Sequence, residues 1–253
     1  MNLFRKSLTT FGVGSAKVDT RLEKSTYMQG EIVKGKVYVL GGQAEQFVDE
    51  IYLFLNIQYE LDGSQSEYMV EKVLITEPFT IGPKEERQFE FEFQLPYDCP
   101  VSISGAPIFL RTGLDIKLAR DPQDIDGIEV LPHPYIDMIL EAIEANNFRL
   151  SKVTFDFEHH FSRHPFVQMY CCEPVSGVEF DLDSASFVFF AHQNEVEVIM
   201  HLDKKGDDIF SSMEEALKLD ERLGRFTILL NDIHQGKQHL INRVKTEMEK
   251  ALQ

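Results

Sequence analysis

A two-residue alternation of apolar and polar side chains runs through this chain and constrains it more than any other feature. Val33, Gly35, Val37 and Val39 fall on one parity, as do Ile51, Leu53, Leu55 and Ile57. The cleanest run is Phe89, Phe91, Phe93 and Leu95, with Glu90, Glu92 and Gln94 between them. In a β-strand successive side chains point to opposite faces, so each run puts its apolar residues on one side. One wet face and one dry face is the signature of antiparallel sandwiches, not of parallel sheets covered by helices on both sides. Turn residues punctuate the strands at Gly30, Gly41–Gly42, Gly63, Gly82–Pro83 and Pro96 to Pro100.

The alternation stops in ARDPQDIDGIEVLPHP, where prolines, aspartates and a glycine replace periodic apolar residues. This predicts a domain boundary, with one β-sandwich over 1–126 and a second over 127–253; 253 residues suit two such domains. Arg120, Asp121, Asp124 and Asp126 are expected to be structural residues of the interdomain linker. Their carboxylates would accept backbone N–H groups in turns and pair with Arg120 or other bases. A short helix should follow, with Pro134 in its first turn, Ile136, Ile139, Leu140 and Ile143 on one face, and Asn146–Asn147 closing it. Strands return around Val153–Phe157, Val167–Cys171, Phe187–Phe190 and Val196–Leu202. Ser211 with Glu214 has the form of a capping box opening a short helix, Phe226 to Leu230 reads as the last strand, and helical spacing recurs from Ile233 to Leu252.

Charge narrows the function. With 42 acidic and 25 basic residues the chain carries a formal charge of −17, which repels nucleic-acid backbones and anionic membranes and favours encounter with a basic protein surface. No window approaches the roughly 18 apolar residues of a membrane span, and the first residues lack the compact apolar core of a secretory signal, so a cytoplasmic protein is expected. Three cysteines, Cys99, Cys171 and Cys172, lack zinc-site spacing and read as buried thiols.

The stretch from Gly12 to Gly42 resembles the opening of the sporulation-control M protein family, whose fold is arrestin-like. The matching residues are Gly12, Gly14, Ala16 to Thr20, Tyr27, Gly30, Glu31, Gly35, Val37 and Gly41–Gly42. Further matches are the Ile51–Leu55 strand, Phe89 to Pro96 with Pro100 and Ser102, and the residues Ala119, Asp121, Pro122, Asp124, Asp126, Val130 and Pro132. The resemblance is strong over about residues 1–148 and loose beyond. It implies two consecutive arrestin-like antiparallel β-sandwich domains and a bacterial regulator of early sporulation that binds other proteins without catalytic residues or cofactors.

Other chemistry is thinly represented. His160 and His164 have helical spacing beside His159, as in some metal hydrolases, but Pro165 and the flanking strand signals place them in a loop. Asp121, Asp124 and Asp126 with Gly127 lack the closing glutamate of a calcium loop. Phe4, Leu8 and Phe11 beside Arg5 and Lys6 could form a short amphipathic turn, and packing on the first sandwich is the expected fate. No phosphate loop, nucleophile elbow or Cys-x-x-Cys pair occurs. The resulting expectation is a non-enzymatic adaptor presenting strand edges and loops to protein partners, with exposed edges that would permit a homodimer. The alternative is a carbohydrate- or small-ligand-binding sandwich, for which the chain lacks tryptophan.

Overall fold

The computed structural model describes residues 15–116, 123–157, 162–175, 180–204 and 223–252. They form a mainly β protein in three sheets whose strands pair antiparallel, except that the short strand Thr26–Met28 contacts Gln123–Leu131 with the hydrogen-bond pattern of a parallel pair, Glu129 N–H to Ser25 O and Gln29 N–H to Leu131 O. Two compact units are distinguished: Met1–Tyr27, Glu31–Pro96 and Ser104–Val130 make the first, and Met28–Gly30, Tyr97–Ile103 and Leu131–Gln253 the second.

The first unit holds β1 (Lys17–Leu22), β2 (Thr26–Met28), β3 (Ile32–Leu40), β4 (Gln46–Leu61), β5 (Ser64–Thr76), β6 (Phe79–Ile81), β7 (Glu86–Gln94), β8 (Ile108–Ile116) and β9 (Gln123–Leu131), with the ends of β2 and β9 assigned to the second. One sheet has the order β1-β3-β7; the other runs β2-β9-β8-β4-β5, with β6 added to β4. The alternating residues behave as their period dictates. Val33, Val37 and Val39 of β3, and Ile51, Leu53, Leu55 and Ile57 of β4, are buried. On the opposite face of the three-stranded sheet, Lys34 pairs with Glu92 and Lys36 with Glu90 at 3.0 and 2.9 Å.

Two features lock the sandwich. Gly35 stands opposite Phe91, and a Cβ there would lie 2.7 Å from the Phe91 ring and 2.6 Å from the Arg21 carbonyl oxygen, so only glycine lets the ring lie across the strand. Between the sheets, the hydroxyls of Thr20 on β1 and Thr112 on β8 lie 2.5 Å apart, and Asp124 on β9 accepts the Thr20 N–H at 2.7 Å. Buried polar groups survive in such a core because each finds a partner.

The linker expectation is corrected here for Asp124 and Asp126. Both belong to β9, which pairs with β8 through Thr112↔Asp124 and Leu110↔Asp126. The strand escaped recognition because its polarity is inverted over its first residues: Asp124 turns toward Thr20 while Ile125 is exposed. Arg120 and Asp121 lie outside the described residues.

The second unit contains α1 (Pro134–Ala145), β10 (Phe148–Asp156), β11 (Val167–Pro174), β12 (Leu182–Ala191), β13 (Glu195–Lys204), β14 (Leu223–Leu229), α2 (Leu230–His234) and α3 (Lys237–Ala251). The five strands form a meander in sequence order. Tyr170, Cys172, Ala185, Phe187, Val198 and Phe226 share one core with Ile136, Ile139 and Ile143 of α1 and Leu240, Val244 and Met248 of α3. The layer that closes this sheet is therefore helical among the described residues. α1 begins as its proline predicts, with His133 as N-cap accepting from the Tyr135 N–H, and ends at Asn146. The C-terminal helical pattern is two helices, not one, because Gly236 adopts φ 98° between them. The expected helix at Ser211 lies outside the described residues.

Gly35→Ala should lower the stability of the protein by about 1–3 kcal/mol, the cost of overpacking a close contact that backbone atoms help to form. Urea unfolding checks this, and an unchanged midpoint would mean that β1 and Phe91 can yield at no cost.

Candidate functional site

The chemically active side chains of the second unit form a closed structural clamp. Arg163 donates to both carboxylate oxygens of Asp98, at 2.6 and 3.0 Å. The buried His164 places Nε2 3.1 Å from the Asp98 carbonyl oxygen and 3.3 Å from its carboxylate. Burial alone would push the Asp98 carboxyl up, but the hydrogen bonds and charges of His164 and Arg163 outweigh it and hold the group well below the usual carboxylate range. Gln29 donates to the Cys99 carbonyl at 2.5 Å and accepts the His133 N–H at 3.0 Å; Gln168 both accepts from and donates to the Val101 backbone. These bonds pin the segment from Asp98 to Val101 in place.

Beside the clamp is a cavity of about 40 Å³ lined by Asp98, Cys99, His164, Gln168, Tyr170 and aromatic side chains. Burial pushes the Cys99 thiol and the Tyr170 phenol far up, and the Cys172 thiol up to about 12, so none of these supplies an anionic nucleophile near neutral pH. Among the described residues, no three His, Cys, Asp or Glu side chains converge as a metal site. His159 and His160 lie outside the described residues, as do Phe4, Leu8 and Phe11. Asp124 is engaged by the Thr20 backbone.

The sheet edges offer a different kind of site. A strand at the end of a sheet keeps one side of its backbone unpaired and can template another chain. Several edges in the described residues are short, distorted or partly engaged. On β1, the Thr20 N–H is taken by Asp124. β5 is interrupted by register shifts that leave Val70 and Ile75 without opposite residues, and β10 by one at Ser151. β2 has three residues. β14 has seven and runs directly into α2. β7 differs: its nine residues pair with β3 without interruption, from Leu40↔Glu86 to Ile32↔Gln94, and it ends the three-stranded sheet.

The geometry of β7 identifies the groups on its free side. Gly41 N donates to Glu85 O and Leu95 N to Glu31 O, both at 2.8 Å, between residues directly opposite in the continued register. Hydrogen-bonded pairs alternate along an antiparallel ladder, so the odd-numbered residues of β7 bond to β3. Glu86, Gln88, Glu90 and Glu92 turn their N–H and C=O groups to the side that has no strand among the described residues, and all four side chains are exposed. Phe91 is buried, whereas Phe89 and Phe93 are only half-buried. Alternation along this segment was legible in the sequence; its position at a sheet edge was not, because pairing order is not written within a strand.

Comparison with known proteins agrees with this architecture. The family model described as SpoOM protein matches residues 4–206. The sporulation-control protein spo0M of Bacillus subtilis (strain 168) is 36% identical over 244 residues, covering 94% of this chain and 95% of that protein. The crystal structure of Spo0M from Bacillus subtilis superimposes with a TM-score of 0.83 at 32% identity, over 94% of this chain and 100% of that one.

The Asp98 clamp predicts a pH response. A carboxyl whose folded pKa is depressed contributes stability that is fully present above its unfolded value, near 3.8, and is lost as pH falls through the lower folded value. Asp98→Asn should cost about 1–3 kcal/mol at neutral pH by removing the negative charge and one of the two carboxylate acceptors that Arg163 engages. It should also flatten the decline in stability below about pH 4. Urea titrations from neutral to acid pH test both, and parallel curves for the two proteins would remove Asp98 as the cause.

Proposed function

Since the chain belongs to the SpoOM family of sporulation-control proteins, we propose that it is a non-enzymatic regulatory adaptor that binds protein partners in the cytoplasm through the open edge of β7. A role in sporulation control follows from the family; strand-mediated partner binding is the finer reading. The observation that carries it is an uninterrupted nine-residue edge that has no strand on its other side among the described residues. Strand addition gives affinity through the backbone and specificity through alternate side chains, so it needs no pocket and no reactive group. Nothing in the Asp98 clamp competes with that reading, because its carboxylate is engaged by the Arg163 guanidinium and its histidine by the Asp98 carbonyl. Among the described residues no helix is long and apolar enough to cross a membrane.

Gln88→Pro is the sharp test. Gln88 turns its N–H away from β3, so proline there removes a donor from the free side without removing a bond of the β3–β7 ladder. In a spore-forming host lacking its own copy of the family protein, the wild type and Gln88→Ala should restore normal spore counts and Gln88→Pro should not, with soluble levels equal on immunoblots. Full restoration by Gln88→Pro would exclude the β7 edge as the working surface.

A further inference from the structure

We propose that the occupant of the β7 edge is an extended protein segment bearing Lys or Arg at alternate positions, with apolar residues between them. The inference rests on the adaptor reading and adds the chemistry of the partner.

Four residues of β7 that turn their backbone groups to the open side also carry exposed side chains: Glu86, Gln88, Glu90 and Glu92. A strand added antiparallel would form its hydrogen-bonded pairs with these four. Each of its residues opposite a glutamate would place a side chain on the same solvent face, about 5 Å away, where opposite charge stabilises and like charge repels. The chain already shows which chemistry fits. On the other side of β7, β3 sets Lys34 opposite Glu92 and Lys36 opposite Glu90, and both ammonium groups reach the carboxylates. Glu90 and Glu92 nevertheless stay 73% and 69% exposed, so each can meet a second cation from the open side.

The interleaved positions face the other way. Residues of the added strand opposite Phe89, Phe91 and Phe93 would lie on the core side, and apolar side chains there would cover the exposed flanks of Phe89 and Phe93. Arg87, the one base on β7, sits on this inner parity, bonded to Glu85 and stacked over Phe79, so it does not compete for the solvent-face carboxylates. The net charge of −17 steers a cationic segment toward the molecule. A second copy is the poorer occupant, because the fully overlapped pairing of β7 with β7 sets Glu90 against Glu90 and brings no cation opposite Glu86 or Glu92.

The test uses three capped octapeptides with the full-length protein: alternating lysine and valine, alternating glutamate and valine, and the lysine peptide N-methylated on the amides that would face β7. Binding is followed by backbone amide NMR shifts, with sedimentation recording oligomeric state. The lysine peptide should shift the Glu86–Gln94 amides and bind at least about tenfold more tightly than the glutamate peptide, since two exposed ion pairs are together worth that order of affinity. N-methylation should abolish binding, and Glu90→Gln with Glu92→Gln should weaken it about tenfold at low salt. Equal binding of the two charged peptides, shifts centred elsewhere, or indifference to N-methylation would overturn the proposal. So would dimerisation through β7 that the peptide cannot displace. If charge preference fails while Gln88→Pro still abolishes sporulation control, the partner chemistry is wrong and the adaptor reading survives. If Gln88→Pro is fully active in cells, the adaptor reading itself falls. Because the methylated peptide removes donors from the ligand, the outcome does not depend on any variant folding.

Discussion

The two-residue period of the extended backbone couples three properties of β7 that could otherwise vary independently. One parity carries the phenylalanines, faces the core and bonds to β3. The other carries the carboxylates, faces water and offers its backbone to the open side. A one-residue slip would exchange the two sets entirely, exposing three phenyl rings and driving glutamates into an apolar interior. Gly35 makes such a slip still less accessible, because the space occupied by the Phe91 ring exists only opposite a residue without a Cβ. The surface is therefore as firmly specified as the core, and by the same contacts.

The second unit obeys a different rule, visible in the run Phe187 to Phe190. Four consecutive apolar residues would break an amphipathic strand, yet here both faces are occupied. Phe187 and Phe189 pack in the core shared with α1 and α3, while Val188 and Phe190 join Val167, Met169 and Ile199 on the opposite face. Helices accept this wider apolar surface because an i, i+3, i+4, i+7 stripe can cover several strands at once.

Much of this was legible in the sequence for local reasons. The strands of the first unit follow from alternation, and α1 from a proline at its start and asparagines at its end, all signals carried by adjacent residues. What was not legible depends on distant partners. β9 has the composition of a turn, and becomes a strand because Asp124 finds the Thr20 N–H more than a hundred residues away. His164 looked like half of a metal pair and is instead held against Asp98, sixty-six residues earlier. Gly236 interrupts a helical pattern whose apolar spacing continues across it, since a side-chain period records which face is buried and not whether the backbone is continuous. β7 follows β6 in the chain and pairs with β3, so its status as an edge emerged only with the topology.

A regular, unpaired edge is a hazard unless something limits what it pairs with, and the molecule limits its other edges by geometry. An aspartate takes one outward donor of β1, that of Thr20, and extra residues distort β5 and β10. β14 pairs with β13 over seven residues without a shift, and β7, the longest unshifted edge among the described residues, is limited by charge. Charge discriminates where a bulge or a proline would not: it leaves the hydrogen-bonding template intact, repels strands of its own kind, and lowers the barrier for strands of opposite sign. A protein whose purpose required only solubility could have distorted this edge as it distorted β5 and β10. Retaining the template behind a row of carboxylates is the arrangement expected where the edge is meant to be occupied, and only by a selected class of chain.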